Sequence, residues 1–328
     1  MLDRRRVGPP ARRAAGDREA DRGIGGRRLT RIALATCAGV PPQFDDDELL
    51  AAAIRSRGGE PSVVEWDDAA ADWGRFDLVL IRSTWDYTWR RDEFLDWAER
   101  VGDRLRNSPA VVRWNSDKRY MGDLEAAGLP VVPTRFVEPG GELPRLAGEV
   151  TVKPTVSAGG RDTGRFGPQA HATAKELVAR IVDSGRTAMI QPYLERVDRE
   201  GEAALLFVAG DLVHALRKRA VLRPDEIAPV RDDAIGAAEA MYDPSLVTLS
   251  AAEPDEVDVA RTIVGHLGER FGNVPLIVRV DLARAVDRTP TVMEVEAIEP
   301  NMYLGLIPAS APRVAEVVLA EAAHRARP

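Results

Sequence analysis

The sequence predicts a globular protein of two or three lobes that begins with a small parallel α/β lobe. The chain has 328 residues, of which 45% are hydrophobic and 30% are charged, so it is long enough to form more than one apolar core. Short apolar segments alternate with helical ones in the first third, which is typical of a parallel sheet. Near the C-terminus, two segments of alternating apolar and polar residues predict a pair of strands.

The predicted α/β lobe contains three short strands. They are RIALATC, PSVVEW (61–66) and DLVLIRS (77–83). A helix is expected between the first two strands, because the acidic cluster at 45–48 suits a helix N-terminus and Gly58 with Gly59 suits its end.

The loop that follows the third strand is a candidate substrate site. Ligands of open α/β sheets gather at the carboxyl ends of the strands. Side chains there, among them those of Arg82, Asp86 and Tyr87, suit the carboxylate, ammonium and side chain of an amino acid. The alternative is an aromatic loop that packs on its neighbour. The candidate substrate residues in and before this loop are Arg82, Ser83, Thr84, Asp86 and Tyr87.

The two C-terminal strands, 276–283 and 291–298, carry a candidate metal site. Residues two apart on a strand share a face, so Arg279 lies beside Asp281, and Glu294 lies beside Glu296. Carboxylates on one face repel each other unless a cation lies among them. Oxygen ligands suit a hard ion, Mg²⁺ or Mn²⁺, which Asp281, Glu294 and Glu296 would hold. The alternative is a solvated acidic face on an edge hairpin.

Two segments in the middle of the chain suit phosphate binding. In the first, a strand at VVRW is expected to precede a helix that ends at Gly128. Asn115 or Ser116 would cap this helix. Lys118 would then lie near the helix N-terminus, where anions collect. In the second, Lys153 precedes a loop with four glycines at 159, 160, 164 and 167. Glycines let backbone N–H groups surround phosphate oxygens, although no Walker A lysine follows them.

Composition narrows the classes of partner and location. The single cysteine excludes an internal disulfide and indicates a reducing compartment, so a cytoplasmic location is expected. No apolar run reaches the roughly 18 residues that span a bilayer. Residues 1–28 hold nine arginines and four acidic residues, which favours a disordered extension. The remaining chain is acidic, which argues against nucleic acid as a substrate.

Taken in order, six motifs resemble those of the ATP-grasp enzymes. They are SDK (116–118), VKP (152–154) with the glycine loop, QPYLE (191–195), GE (201–202), RVD (279–281) and EVE (294–296). The resemblance implies an α/β and α+β protein in which an N-terminal α/β lobe precedes two α+β lobes that clasp ATP. The implied bounds are 29–115 for the substrate lobe, 116–195 for the central lobe and 196–328 for the C-terminal lobe with the metal site.

The resemblance also assigns roles to residues. Lys118, Lys153, Ser157, Gly159 and Gly160 would bind the ATP phosphates. The backbone of Gln191, Pro192, Tyr193 and Leu194 would bind adenine, and Glu202 the ribose, with Asp198 as the weaker candidate. Among residues 217–219, Lys218 is preferred as a phosphate ligand. The implied catalytic residues are Arg279, Lys153 and Lys218. Asn301 is a further candidate substrate residue. It is also the alternative third metal ligand, because the family usually has Asn where this chain has Glu296.

The implied reaction is ATP-dependent carboxylate–amine ligation through an acyl phosphate on an amino-acid-like substrate. STWDY and EVEAIEP most resemble the branch that includes the cyclo-ligase of cycloserine biosynthesis, the O-ureidoserine type. Ring closure of one substrate, ligation of two substrates and a non-catalytic ATP-binding module stay open as alternatives. Dimers are common in the family, and the oligomeric state of this chain stays open.

Overall fold

A computed structural model describes residues 28–40, 46–230 and 236–325, which form three β-sheets with helices packed against them. Apart from Arg28, the predicted disordered extension lies outside the described residues. One sheet is parallel and two are antiparallel, so the predicted combination of α/β and α+β architecture is confirmed. Within the described residues, none of the helices is both long and apolar enough to cross a bilayer.

The first lobe is built on a four-stranded parallel sheet with the strand order β2-β1-β3-β4. Side chains of β1 alternate between two cores: Ile32 and Leu34 pack towards helix α1, and Ala33 and Ala35 pack towards helix α2. This double coverage explains why the central residues of β1 and β3 are apolar. The elements are β1 (Thr30–Thr36), α1 (Asp46–Arg55), β2 (Gly59–Glu65), β3 (Leu78–Ser83), α2 (Arg91–Val101) and β4 (Leu105–Arg106).

The prediction of a strand at VVRW (111–114) is wrong, because this segment lies in helix α3 (Pro109–Asn115). Pro109 lies at the start of the helix, where its missing N–H is harmless, and its fixed φ outweighs the strand preference of the two valines that follow. The next helix, α4 (Tyr120–Ala126), is not capped by Asn115 as expected. The Asn115 amide instead donates to Val295 O and accepts from Ala297 N, which joins α3 to the C-terminal lobe.

The central lobe is organised around a five-stranded antiparallel sheet with the order β11-β7-β6-β8-β5. Helix α5 covers one face through Leu177, Val178 and Ile181. The edge strand β11 comes from the segment 223–253, so the packing crosses the predicted boundary between the central and C-terminal lobes. The elements before β11 are β5 (Arg135–Val137), β6 (Val150–Pro154), β7 (Gly164–Phe166), α5 (His171–Asp183), β8 (Ala188–Pro192), α6 (Val197–Glu200), β9 (Glu202–Val208) and β10 (Asp211–Lys218).

The C-terminal lobe has a second antiparallel sheet with the order β12-β10-β9-β13-β14. Helices α4 and α7 pack on its apolar face, and helix α8 packs against α1 of the first lobe. The last helix therefore ties the end of the chain to its beginning. The elements are β11 (Glu226–Ile227), β12 (Val247–Leu249), α7 (Pro254–Phe271), β13 (Ile277–Arg284), β14 (Pro290–Glu296) and α8 (Ser310–Arg325).

A buried asparagine joins the first lobe to the C-terminal sheet. Asn107 follows β4 directly, and its amide nitrogen donates to Ile277 O at 2.8 Å and to Ala297 O at 2.7 Å. Its amide oxygen accepts from Leu276 N. One side chain thus satisfies three backbone groups at the start of β13 and just after β14, the two strands that carry the predicted metal ligands.

We predict that Asn107→Ala lowers the free energy of unfolding by about 3 kcal/mol, since it leaves buried backbone groups without partners. The measurement is urea denaturation. Asn273→Ala is the control, because Asn273 is exposed in a turn next to the same sheet, and its loss is expected to change stability by less than about 0.5 kcal/mol. Equal effects of the two substitutions would contradict the bridging role of Asn107.

Candidate active site

The paired strands β13 and β14 place four charged side chains on one face, as the sequence predicts. Arg279 is the register partner of Glu296, and Asp281 is that of Glu294. The opposite face of β13 carries Val278 and Val280, which are fully buried in the core beneath α7. The apolar face therefore fixes the strands, and the register aligns the charged residues.

Three lysines from other segments reach these carboxylates. Lys118 Nζ lies 3.2 Å and Lys153 Nζ lies 3.7 Å from Glu294. Lys218 Nζ contacts Asp281 at 2.7 Å and Glu202 at 3.0 Å. Residues from before β5, from the central sheet and from the C-terminal sheet therefore meet in one place. We call this group the charged cluster; it consists of Lys118, Lys153, Glu202, Lys218, Arg279, Asp281, Glu294 and Glu296.

The arginine of the cluster holds two acids. Its guanidinium bonds Asp281 Oδ1 and Oδ2 at 2.8 Å each and also contacts Glu296. Burial favours the neutral form of Asp281, but the charges of Arg279 and Lys218 outweigh it and lower the pKa of this carboxyl. Burial also favours the neutral form of Glu294, but the charges of Lys118 and Lys153 outweigh it and lower the pKa of this carboxyl to about 2.

Glu296 differs from its two neighbours. Burial, together with the charges of Asp281 and Glu294, raises the pKa of Glu296 to about 7 against the pull of Arg279. Asp281 and Glu294 are thus ionised at neutral pH, while Glu296 titrates there. The three carboxyls share one face but differ in charge.

The donor chemistry of this face fits a hard divalent cation, since Asp281 and Glu294 are ionised oxygen donors on neighbouring strands. In the described part of the chain, however, no three His, Cys, Asp or Glu side chains are gathered closely enough to coordinate an ion. Lysines and Arg279 lie between the carboxylates instead. The predicted ligands are together, and their geometry is that of ion pairs.

The alternative third ligand, Asn301, has a different local role. Its side-chain oxygen accepts from Tyr303 N at 2.8 Å, which stabilises a turn in which Tyr303 has a φ of 53°. Its backbone oxygen accepts from Arg279 Nη1 at 3.0 Å. Glu296, paired in register with Arg279, is better placed beside Asp281 and Glu294.

Of the three candidate basic residues at 217–219, the geometry favours Lys218. Arg217 points to the other face of the sheet, where it pairs with Glu256 on α7 at 3.1 Å. Alternation along β10 explains the difference, because neighbouring residues of a strand face opposite sides.

The glycine-rich loop lies directly above the charged cluster. Lys118 Nζ donates to Ser157 O at 2.6 Å, and the backbone oxygen of Gly159 accepts from Ala238 N at 2.7 Å. Gly159 has a φ of 63°, and a Cβ atom there would lie 2.6 Å from the side chain of Ala237. The loop is therefore clamped between the lysine and the segment that precedes β12.

A cation–π contact joins the same loop to the first lobe. The guanidinium of Arg161 lies 3.4 Å from the ring centroid of Trp89, and its Nη2 donates to Thr88 Oγ1 at 2.7 Å. Sequence inspection missed Arg161, Thr88 and Trp89; the only signal was an arginine directly after two glycines.

The predicted adenine-binding segment forms the end of β8 and the turn after it. Gln191 Nε2 donates to Thr134 Oγ1, and Tyr193 N donates to Glu149 O at 2.9 Å. Pro192 has no N–H group. In the part of the chain that the structure describes, the backbone N–H of Leu194 has no acceptor. Of the four residues, Leu194 therefore offers the free donor.

The weaker ribose candidate, Asp198, is already held by other groups. Its carboxylate pairs with Arg165 at 2.7 Å and accepts from Tyr193 Oη at 2.6 Å. Glu202 contacts Lys218 and so belongs to the charged cluster. The geometry therefore favours Glu202 over Asp198 as the candidate that binds ribose.

The predicted substrate residues of the first lobe anchor its loop. Arg82 and Ser83 both bond Asp47, at 3.0 and 2.8 Å. Asp86 accepts from Trp66 Nε1 at 2.8 Å and pairs with Arg90 at 2.6 Å. These side chains are thus engaged by other groups of the protein, and direct contact of Arg82, Ser83 and Asp86 with a substrate stays a prediction.

Thr84 and Tyr87 differ from these residues. Both are buried, and the Thr84 hydroxyl has no hydrogen-bond partner in the described residues. Tyr87 stacks on Phe94 with ring centroids 5.0 Å apart. The charges of Glu299, Glu294 and Glu296 act on the Tyr87 hydroxyl, so this hydroxyl lies near the charged cluster.

We predict that Gly159→Ala weakens nucleotide binding about tenfold, since both the positive φ and the contact with Ala237 oppose a side chain. Calorimetry with the ATP analogue AMP-PNP measures the affinity. Gly140→Ala is the control: Gly140 has a φ of 76°, but nothing lies within 4 Å of the added Cβ. If both variants bind AMP-PNP as the unsubstituted protein does, the clamp on the loop has no role in nucleotide binding.

Comparisons with known proteins agree with this geometry. Residues 32–107 match the family model described as the N-terminal domain of D-cycloserine synthetase DcsG. The cycloserine biosynthesis protein DcsG of Streptomyces lavendulae is 37% identical over 288 residues, which cover 83% of this chain and 92% of that protein.

Solved structures give the same result. The crystal structure of D-cycloserine synthetase DcsG superposes with a TM-score of 0.78 at 32% identity and covers 89% of this chain and 99% of that one. A D-alanine–D-alanine ligase from Bacillus anthracis complexed with ATP superposes with a TM-score of 0.62 at 12% identity, covering 90% of this chain and 98% of its own, and thus shares the fold. The protein is therefore an ATP-dependent ligase with the ATP-grasp fold, and the chain belongs to the family of the cycloserine biosynthesis protein DcsG.

Proposed function

We propose that this ligase closes a ring within one amino-acid-like substrate, as in the formation of cycloserine from an O-ureidoserine. Its relative from Streptomyces is named for cycloserine biosynthesis, and the similarity covers the substrate lobe as well as the two ATP-grasp lobes. The observation that carries the chemistry is the charged cluster. It consists of lysines, an arginine and carboxylates, which suits phosphoryl transfer by positioning and charge neutralisation.

In this proposal, the three lysines of the cluster exchange partners when ATP binds. Lys118, Lys153 and Lys218 neutralise the triphosphate and release the carboxylates they now contact. Burial lowers the pKa of Lys153, because Glu294 only partly compensates for the loss of solvent. A polyanion beside Lys153 would restore its preference for the charged form. Ser157, Gly159 and Gly160 supply the loop that covers the phosphates.

The base and sugar of ATP would lie at the turn after β8. The free N–H of Leu194 would donate to the adenine ring, with Gln191, Pro192 and Tyr193 forming the wall of the pocket. The carboxylate of Glu202 would accept from the ribose hydroxyls. These assignments agree with the hydrogen bonds still available at each residue.

Mg²⁺ or Mn²⁺ would be held by Asp281, Glu294 and Glu296, and when bound would supply positive charge beside the phosphate oxygens. The chain contributes the ionised state of Asp281 and Glu294. It also contributes Arg279, which stays charged and fixed between two acids. The free energy gained on nucleotide binding would have to exceed the cost of breaking these ion pairs.

The proposed chemistry has three steps. A substrate carboxylate oxygen attacks the γ-phosphorus of ATP, and ADP leaves, which gives an acyl phosphate. The ureido nitrogen that is bonded to oxygen then attacks the acyl carbon and loses its proton as phosphate leaves, which closes the ring with the carbamoyl group still on this nitrogen. Water then hydrolyses the carbamoyl group, which leaves as carbon dioxide and ammonia, and cycloserine is formed. Arg279 stabilises the negative charge that develops on the acyl oxygen. Arg82, Ser83, Thr84, Asp86, Tyr87 and Asn301 would surround the substrate. A small-molecule substrate in the cytoplasm is part of this proposal.

We expect ADP release when Mg²⁺ and ATP are mixed with O-ureidoserine alone, and mass spectrometry should then identify a cyclic product. A panel of amino acids and hydroxamates, added singly and in pairs, is the comparison. Turnover that needs two compounds would contradict ring closure and indicate intermolecular ligation.

We predict that Asp281→Asn and Glu294→Gln each lower kcat/KM for ADP release by about 100-fold or more, since each removes an ionised oxygen donor that would hold the cation beside the phosphate oxygens. Glu269→Gln, an exposed position on α7, is the control and should leave turnover unchanged. Thermal unfolding verifies that the variants fold. Normal turnover in both cluster variants would refute the assigned metal and phosphate roles.

A further inference from the structure

The segment after β14 is fixed by donors from two lobes. Trp85 Nε1 donates to Glu299 O at 3.3 Å, and Arg82 Nη1 donates to Pro300 O at 3.2 Å. The side chain of Ile298 is buried in the core of the first lobe. The backbone around Glu299 is thus held in place at the boundary between the first lobe and the charged cluster.

The side chain of Glu299 differs from the other acids at this place. Asp281, Glu294 and Glu296 each pair with a lysine or arginine. The carboxyl of Glu299 has neither an ion pair nor a hydrogen bond to another side chain in residues 28–40, 46–230 and 236–325. It is only partly exposed, and its electrostatic neighbours are Glu296, Lys118 and Glu294. The carboxyl therefore has no side-chain partner among the described residues, and it is close enough to the cluster for the charges of Glu296 and Lys118 to act on it.

A second polar group lies within reach of the Glu299 charge. The Tyr87 side chain is 3% exposed, and its hydroxyl makes no hydrogen bond within the described residues. Glu299 is the charged group that acts most strongly on this hydroxyl. The two groups share one electrostatic environment, and neither makes a hydrogen bond to a side chain among the described residues, so together they suit a ligand with hydrogen-bond donors.

We propose that the Glu299 carboxylate and the Tyr87 hydroxyl bind the ammonium group of the amino-acid substrate. An ionised carboxylate only accepts hydrogen bonds, and an ammonium only donates them. The proposal rests on the proposed function, because that function supplies a substrate with an amino group beside its reacting carboxylate. Asp86 is the sequence-based candidate for this role, but Trp66 and Arg90 occupy its oxygens.

The electrostatics of the site agree with a cationic ligand. Burial, together with the charge of Glu296, raises the pKa of Glu299 to about 8. A bound ammonium would stabilise the ionised carboxylate and lower this pKa. The same group would compensate for the surplus of acids, because Glu299 joins Asp281, Glu294 and Glu296 without a lysine or arginine of its own among the described residues.

The test compares O-ureidoserine with 3-(ureidooxy)propanoate, which has the same reacting groups and lacks the amino group. In Glu299→Gln we expect kcat/KM for O-ureidoserine to fall about 10- to 100-fold, mainly through KM, and that for the des-amino compound to change less than about threefold. Tyr87→Phe should show the same selectivity with a smaller loss. Glu269→Gln is the matched control and should not change the ratio between the two compounds.

Two results would overturn the ammonium site. An equal loss for both compounds through kcat would place Glu299 in the reaction itself. A shift in the Mg²⁺ concentration needed for half-maximal turnover, with the ratio unchanged, would make it a metal ligand.

The proposed function can fail separately. If the unsubstituted enzyme releases no ADP with either compound, ring closure of O-ureidoserine is refuted. Calorimetry in the presence of AMP-PNP and Mg²⁺ then tests the ammonium site alone. Tighter binding of O-ureidoserine than of the des-amino compound, abolished in Glu299→Gln, supports the site. Equal binding, or no binding of either compound, overturns it.

Discussion

The arrangement of this protein depends on one electrostatic constraint, the neutralisation of carboxylates on the polar face of β13 and β14. A carboxylate that leaves water needs a cation within a few ångströms, or it binds a proton. The apolar faces of these strands lock their register, so the acids cannot move apart. Cations therefore come from elsewhere in the chain, and the folding of three lobes around this face delivers them. Lys118, Lys153 and Lys218 reach it from distant segments.

The contacts between lobes follow from the same arrangement. Asn107 and Asn115 lie at the end of β4 and of α3, and both bind backbone groups of β13, β14 or the residues after β14. Each side-chain amide carries both a donor and an acceptor, so it bonds backbone N–H and C=O groups that no neighbouring strand pairs. The first lobe is thus fixed relative to β13 and β14. On the other side, Arg161 of the glycine loop contacts Trp89 and Thr88 of the first lobe, and Val156 before the loop packs against the first-lobe core.

Much of this organisation could be predicted from the sequence, because it follows from short-range periodicity. Alternation on β13 and β14 placed Arg279, Asp281, Glu294 and Glu296 on one face, and a lysine before a glycine-rich loop indicated phosphate binding. The helix at VVRW was missed, because two adjacent valines favour a strand while the decisive Pro109 lies just before them. The charge pairing within the first lobe was also missed. Arg82 pairs with Asp47, which lies more than thirty positions away, and Asp86 pairs with the nearby Arg90; periodicity does not report such contacts.

Glu296 shows how one substitution changes the balance of the whole face. An asparagine here, as the ATP-grasp pattern has it, would leave the Arg279 guanidinium to Asp281 alone. With Glu296, the same guanidinium is shared by two acids, and burial, together with the charges of Asp281 and Glu294, raises the pKa of Glu296 to about 7. The site therefore holds one more exchangeable proton near neutral pH than the asparagine version does. Because Glu296 also acts on Glu299, this charge reaches towards the first lobe. The negative charge that Glu296 adds therefore favours the binding of a cationic substrate group near Glu299.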